Sequence, residues 1–125
     1  MPDEKDDVEV RLEDQQKINT FGRLTARMHD LEDEVKAKQL QHELLDDAAN
    51  EIILADDDEA IRYSFGECYY EVTKDQADEL LESQKDKITE EIQGLETELS
   101  NARSTLSGLK TQLYTRFGSN INLEE

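Results

Sequence analysis

The stretch Ile61-Arg62-Tyr63-Ser64-Phe65-Gly66-Glu67-Cys68-Tyr69-Tyr70-Glu71-Val72 decides the fold. Gly66-Glu67 reads as a two-residue turn, with glycine at the first central position as a type II′ turn requires. That turn sets Phe65 opposite Cys68, Tyr63 opposite Tyr70 and Ile61 opposite Val72, so one face of the hairpin is wholly apolar or aromatic. On the other face Ser64 meets Tyr69, and Arg62 meets Glu71 as an opposite-charge cross-strand pair. One register satisfies both faces. A two-stranded hairpin is marginal in water, because its edges and its apolar face have no partner. The flanking sequence offers little to cover it. We therefore expect a sheet or barrel completed by hairpins from other chains. The protein would be an obligate oligomer, with Ile61, Tyr63, Phe65, Cys68, Tyr70 and Val72 at the intersubunit face.

On either side of this stretch run long apolar stripes. The first is Phe21, Leu24, Met28, Leu31, Val35, then Leu45, Ala49 and Ile52; the second is Leu81, Ile88, Ile92, Leu95, Leu99, Ala102, Leu106, Leu109 and Leu113. Both follow the three–four spacing that lines one seam of a helix and winds two helices together. The only proline is Pro2, so nothing later in the chain stops a helix as proline would. The first helix is expected over about 13–54 and the hairpin over about 60–73. The second helix is expected over about 74–117, with a short tail at 118–125. Thr73 and Gln76 have capping-box spacing, and Asp75, Asp78 and Glu79 suit the positive end of the second helix. Gly118 is placed to supply a left-handed C-cap. Each helix would be roughly 60 Å long at 1.5 Å per residue. Two helices of equal length joined by a short insert should fold back antiparallel. The expected fold class is mainly α: a long antiparallel two-helix coiled coil with one central β-hairpin.

Residues 1–12 read as a flexible acidic arm with Val8, Val10 and Leu12 in alternation, and 13–125 as a single domain. The seam has defects. Lys38 and His42 fall on seam positions, and Leu40 and Leu44 lie off it, where they would form a second contact face. Gly94 and Gly108 sit off the second seam, where outward-facing tolerance is the simplest reading.

Composition bounds the function. Over 125 residues, 35% are apolar, 37% are charged and Trp is absent. This is poor material for a globular core and adequate for a narrow helical seam. A net charge of −18 opposes binding to nucleic acid or to anionic membranes, and no apolar run approaches a membrane span. The lone Cys68 suits a reducing compartment, and the first residues have neither the basic nor the apolar region of a secretory signal. The expected location is cytoplasmic, with a nuclear pool allowed.

Chemistry is scarce. Read as a calcium loop from Asp56, the run Asp56-Asp57-Asp58-Glu59 puts Asp58 third and Glu67 twelfth. Ala60 and Ile61 then stand where an acceptor and the turn glycine are needed. The run reads instead as a solvated helix stop or as a docking point for basic residues of a neighbour. His42 reads as a half-wet seam residue, since His29 lies about 20 Å away along the helix and no further donors converge. There is no phosphate loop, nucleophile elbow or CxxC pair, and strand alternation points to burial of Cys68. No cofactor, metal or enzymatic activity is expected.

The arrangement resembles a beta-class prefoldin subunit. Three motifs narrow the likeness to the subunit 4 group: Glu13-Asp14-Gln15-Gln16-Lys17-Ile18-Asn19, Leu54-Ala55-Asp56-Asp57-Asp58, and Phe117-Gly118-Ser119-Asn120-Ile121-Asn122-Leu123-Glu124. With the hairpin and helices, the resemblance covers roughly residues 10–124. It implies a heterohexamer of two alpha-class and four beta-class subunits whose hairpins form a double β-barrel platform. It also implies capture of unfolded proteins, notably actin and tubulin chains, and their delivery to the cytosolic chaperonin without ATP. Client contact would lie where both termini meet, on Ile18, Phe21, Tyr114, Phe117, Ile121 and Leu123, with Val8, Val10 and Leu12 on the arm. From Leu99 to Leu123 the chain carries Arg103, Lys110 and Arg116 and no acid. These cations either pair with acids at the start of the first helix or dock client or chaperonin. Phe117 either caps the helix seam or contacts client. The competing reading is a coiled-coil scaffold or adaptor that oligomerises through its hairpin and has no holdase activity.

Overall fold

The computed structural model describes residues 9–56, 59–65 and 67–124; the side chain of Phe65 also lies outside the description. In chain order it contains α1 (Leu12–Ile53), β1 (Ile61–Phe65), β2 (Cys68–Val72) and α2 (Lys74–Phe117), followed by one 3-10 turn, Gly118–Asn120. Val8, Asp57, Asp58, Gly66 and Glu125, on which parts of the arm, acid-run, turn and tail readings rest, lie outside the described residues. Leu12, expected on the arm, is the first residue of α1.

The strands pair antiparallel in the expected register: Ile61 with Val72, Arg62 with Glu71, Tyr63 with Tyr70, Ser64 with Tyr69 and Phe65 with Cys68. The start of α2 is a complete capping box. The Gln76 N–H donates to Thr73 Oγ1 at 3.2 Å, and the Thr73 N–H donates to Gln76 Oε1 at 3.0 Å. Two otherwise orphaned donors of the first turn are thereby satisfied. At the far end Gly118 takes φ +58°, the left-handed value that ends α2.

The chain forms two compact units. In the first, residues 12–34 of α1 lie antiparallel to 95–117 of α2, as the pairs Asp14–Arg116 and Arg27–Glu98 show. Its buried seam contains Phe21, Met28, Leu31, Leu99, Leu106 and Leu113, with Leu24, Leu95 and Leu109 packed against it. Leu31, Leu106 and Leu113 are the largest fully buried side chains. Burial of each such leucine removes apolar area from water worth roughly 1.5–3 kcal/mol.

The second unit holds residues 35–94, including the hairpin. There too the helices run antiparallel, with Lys38 Nζ 2.6 Å from Glu91 and Lys85 Nζ 3.1 Å from Asp46. Ala77 and Leu81 are buried, while Leu45, Ala49 and Ile52 are half-buried. The seam gap at Lys38 is bridged by an ion pair. His42 Nδ1 lies 3.4 Å from Asp46 on the same helix, an edge position as expected. Leu40 and Leu44 do not find a second contact face within the chain, being 56% and 58% exposed.

Candidate functional site

Apolar and aromatic side chains gather at two places that bear on function. The first is the hairpin. Ile61, Tyr63 and Val72 are half-buried, and the Gln84 amide donates to the Tyr63 hydroxyl, which ties β1 to α2. Tyr70 is 53% exposed and Tyr69 more so. Cys68, expected to be buried, is exposed in the single chain, because no second layer covers this part of the sheet. The Arg62 guanidinium stands 5.7 Å from the centre of the Tyr69 ring, a cation–π distance. Beside the strands a shallow open groove is lined by Tyr70, Val72, Gln76 and Leu80. The hairpin thus offers an apolar face and a free strand edge on a fixed base. Lys74 Nζ reaches the Ile53 and Ala55 carbonyl oxygens at 3.2 and 3.3 Å, fastening the end of α1 to the start of α2 beneath the strands.

The second place is where the start of α1 meets the end of α2 and the residues that follow it. Phe21, Phe117 and Leu123 are buried there, Ile18 and Ile121 pack against the same cluster, and Tyr114 stands at its margin. All six expected client residues are therefore brought to one end of the first unit, but three of them are covered. The tail lies back on the cluster: the Leu123 N–H donates to the Tyr114 hydroxyl at 3.3 Å.

An ion pair between a buried Asp14 and a half-buried Arg116 ties the two helices together at this end. Asp14 is 3% exposed. Its Oδ2 accepts from Arg116 Nε at 2.6 Å and from the Arg11 N–H at 2.9 Å. Arg116 also donates to the Glu9 carbonyl oxygen at 2.7 Å, and its guanidinium lies 5.4 Å from the Phe117 ring centre. Burial raises the Asp14 pKa, but the hydrogen bonds and positive charge of Arg116, with those of Arg11, outweigh it and hold the carboxyl below its ordinary range. Arg116 thus pairs with an early acid. Arg103 approaches Glu32, in the middle of α1, at 3.9 Å, so of the three terminal cations Arg116 is the one seen to follow the pairing reading. In the sequence Asp14 stands within the motif at 13–19 with nothing there to assign it a role. The available signal was an acid three residues beyond Arg11, positioned to accept that residue's N–H at a helix start.

Among the described residues, no three His, Cys, Asp or Glu side chains converge as a metal site, and no helix is long and apolar enough to cross a membrane.

The comparisons with known proteins agree with this architecture. A family model for prefoldin subunits matches residues 15–120. Prefoldin subunit 4 of Homo sapiens is 44% identical over 120 residues, covering 95% of this chain and 90% of the relative. The chain belongs to the prefoldin family, on its subunit 4 branch. Prefoldin subunit 4 of Saccharomyces cerevisiae is 35% identical, covering 97% of this chain and 94% of the relative. Among solved structures, the prefoldin beta subunit of Thermococcus strain KS-1 superposes with a TM-score of 0.79. It covers 89% of this chain and 97% of its own at 17% identity, a likeness of fold. The long helices and central hairpin are the prefoldin beta fold, and the chain is a prefoldin co-chaperone subunit.

Proposed function

We propose that this prefoldin subunit works within a heterohexamer, in the cytoplasm and without ATP or enzymatic chemistry. Its hairpin joins those of alpha- and beta-class partners in a shared β-barrel. Its terminal end holds unfolded chains such as actin and tubulin for delivery to the cytosolic chaperonin. The observation that carries the assembly half is the uncovered hairpin: Tyr69, Tyr70 and Cys68 are exposed on strands whose base is fixed to α2. An apolar face on an open strand edge calls for another chain. Weak apolar contacts from several subunits would together retain a client that no single site could hold, and the net charge of −18 would keep the loaded complex in solution.

One observation favours the scaffold reading instead. Phe21, Phe117 and Leu123 are buried in the chain as it stands, as they would be if they served only the seam. The discriminating experiment is co-expression with the other prefoldin subunits, native mass measurement, and assay of suppression of denatured-actin aggregation. The proposal expects a hexamer whose suppression weakens when residues 1–17 and 114–125 are removed together. A hexamer with no preference for unfolded over folded protein leaves the scaffold.

A further inference from the structure

The tail holds the most specific clue to what the terminal end recognises. Gly118, at φ +58°, turns the chain out of α2. After one 3-10 turn, Ile121 is extended, with φ −122° and ψ 140°. In extended chain, residues 121 and 123 face the same way. Leu123 is only 9% exposed and belongs to the same buried cluster as Phe21, Leu113 and Phe117; Ile121 packs against it, and Asn122 between them is exposed. A 3.3 Å hydrogen bond from the Leu123 N–H to the Tyr114 hydroxyl ties the tail to α2. A tail segment with two apolar side chains two residues apart therefore already sits on the residues expected to meet client.

We propose that residues 121–123 are an internal substitute for client. The apolar surface at this end takes an extended segment with two apolar side chains two residues apart, and the chain's own tail covers it until such a segment displaces the tail. This rests on the client-binding reading above and names the ligand class. It also divides the six expected client residues: Ile18, Phe21, Tyr114 and Phe117 form the seat, whereas Ile121 and Leu123 are its resident occupants. The arrangement keeps apolar surface covered between clients and sets a threshold for binding. A site occupied by its own tail most of the time binds more weakly in proportion to the open fraction.

The test uses the full chain assembled with its partner subunits, with reduced and carboxymethylated α-lactalbumin as the unfolded probe. Replacing Ile121 and Leu123 together by Ser should tighten probe binding roughly three- to tenfold, because the competitor is gone. Tyr114→Phe keeps every apolar contact and loses only the tie to the Leu123 N–H; it should shift binding the same way by less. A peptide spanning residues 118–125, added in trans, should bind the double-serine complex and compete with the probe. In the unaltered complex, adding the probe should speed hydrogen exchange at the Leu123 amide. Probe binding that leaves that exchange unchanged, or a double-serine complex that binds the probe equally or less well, overturns the proposal while the client reading stands. Peptide binding with no probe binding by either complex overturns the client reading and keeps the assignment of surface and tail.

Discussion

Asp14 is an acid at the start of an acid-rich helix, and nothing in composition separates it from its neighbours. The fold separates it, by burying it against Arg116 and the Arg11 N–H. Its carboxyl pKa is lowered relative to 3.8 in the unfolded chain. The linked stability is therefore fully present above 3.8, falls as pH drops below that value, and is gone below the native pKa. Glu91, likewise lowered from 4.5 mainly by the hydrogen bond from Lys38, adds to the same acid-side loss. Asp14→Asn keeps the shape but removes the charge. We expect a lower thermal midpoint at neutral pH and a shallower decline of that midpoint between about pH 5 and 2. Circular-dichroism melts across that range check it, and an unchanged slope would show that Asp14 does not contribute to it.

At the scale of elements, the helices follow their local signals closely. The Thr73–Gln76 box starts α2 and Gly118 ends it, both as read from residue spacing. The seam positions are buried or half-buried throughout α2, from Leu81 to Leu113. Gly94 and Gly108 break helix propensity without serving packing, since a Cβ at either would meet nothing within 4 Å. Gly94→Ala and Gly108→Ala should each stabilise α2 by roughly 0.5–1 kcal/mol, because alanine loses less backbone entropy on forming helix. Denaturant unfolding of the assembled protein measures this. A loss of stability in either variant would mean that the position faces a partner rather than solvent. Leu40 and Leu44 show where helix pattern alone misleads: two leucines at i, i+4 look like a contact face, yet both are exposed within the chain.

At the scale of the whole molecule, a chain with net charge −18 and 35% apolar residues has little apolar surface to spare, and it leaves some of that surface on the hairpin. Assembly should therefore be sensitive to one charge placed there. Tyr70→Glu puts a carboxylate on the exposed strand face beside Val72 and Leu80. Burying it unpaired against a partner would cost several kcal/mol. Size-exclusion chromatography of co-expressed subunits should show this chain missing from the complex, while its far-ultraviolet helical signal is retained. Normal incorporation would remove the hairpin face from the assembly argument.

The two helices, their caps, the strand register and the meeting of the start of α1 with the end of α2 were all legible in the sequence. These follow from short-range rules: a 3.6-residue period, an alternation of two, a capping box and a glycine turn. The family was also readable, because its motifs fall at helix ends and beside the hairpin, where spacing is strict. Only the tertiary structure decided that Asp14 pairs with Arg116, that Lys38 bridges the seam to Glu91, and that Leu123 returns to cover Phe21 and Phe117. The first two contacts join residues far apart in sequence, and the third depends on where the short tail after Phe117 comes to rest on a surface made by both helices. No local period encodes such contacts, because their free energy exists only once the two helices have placed their side chains side by side.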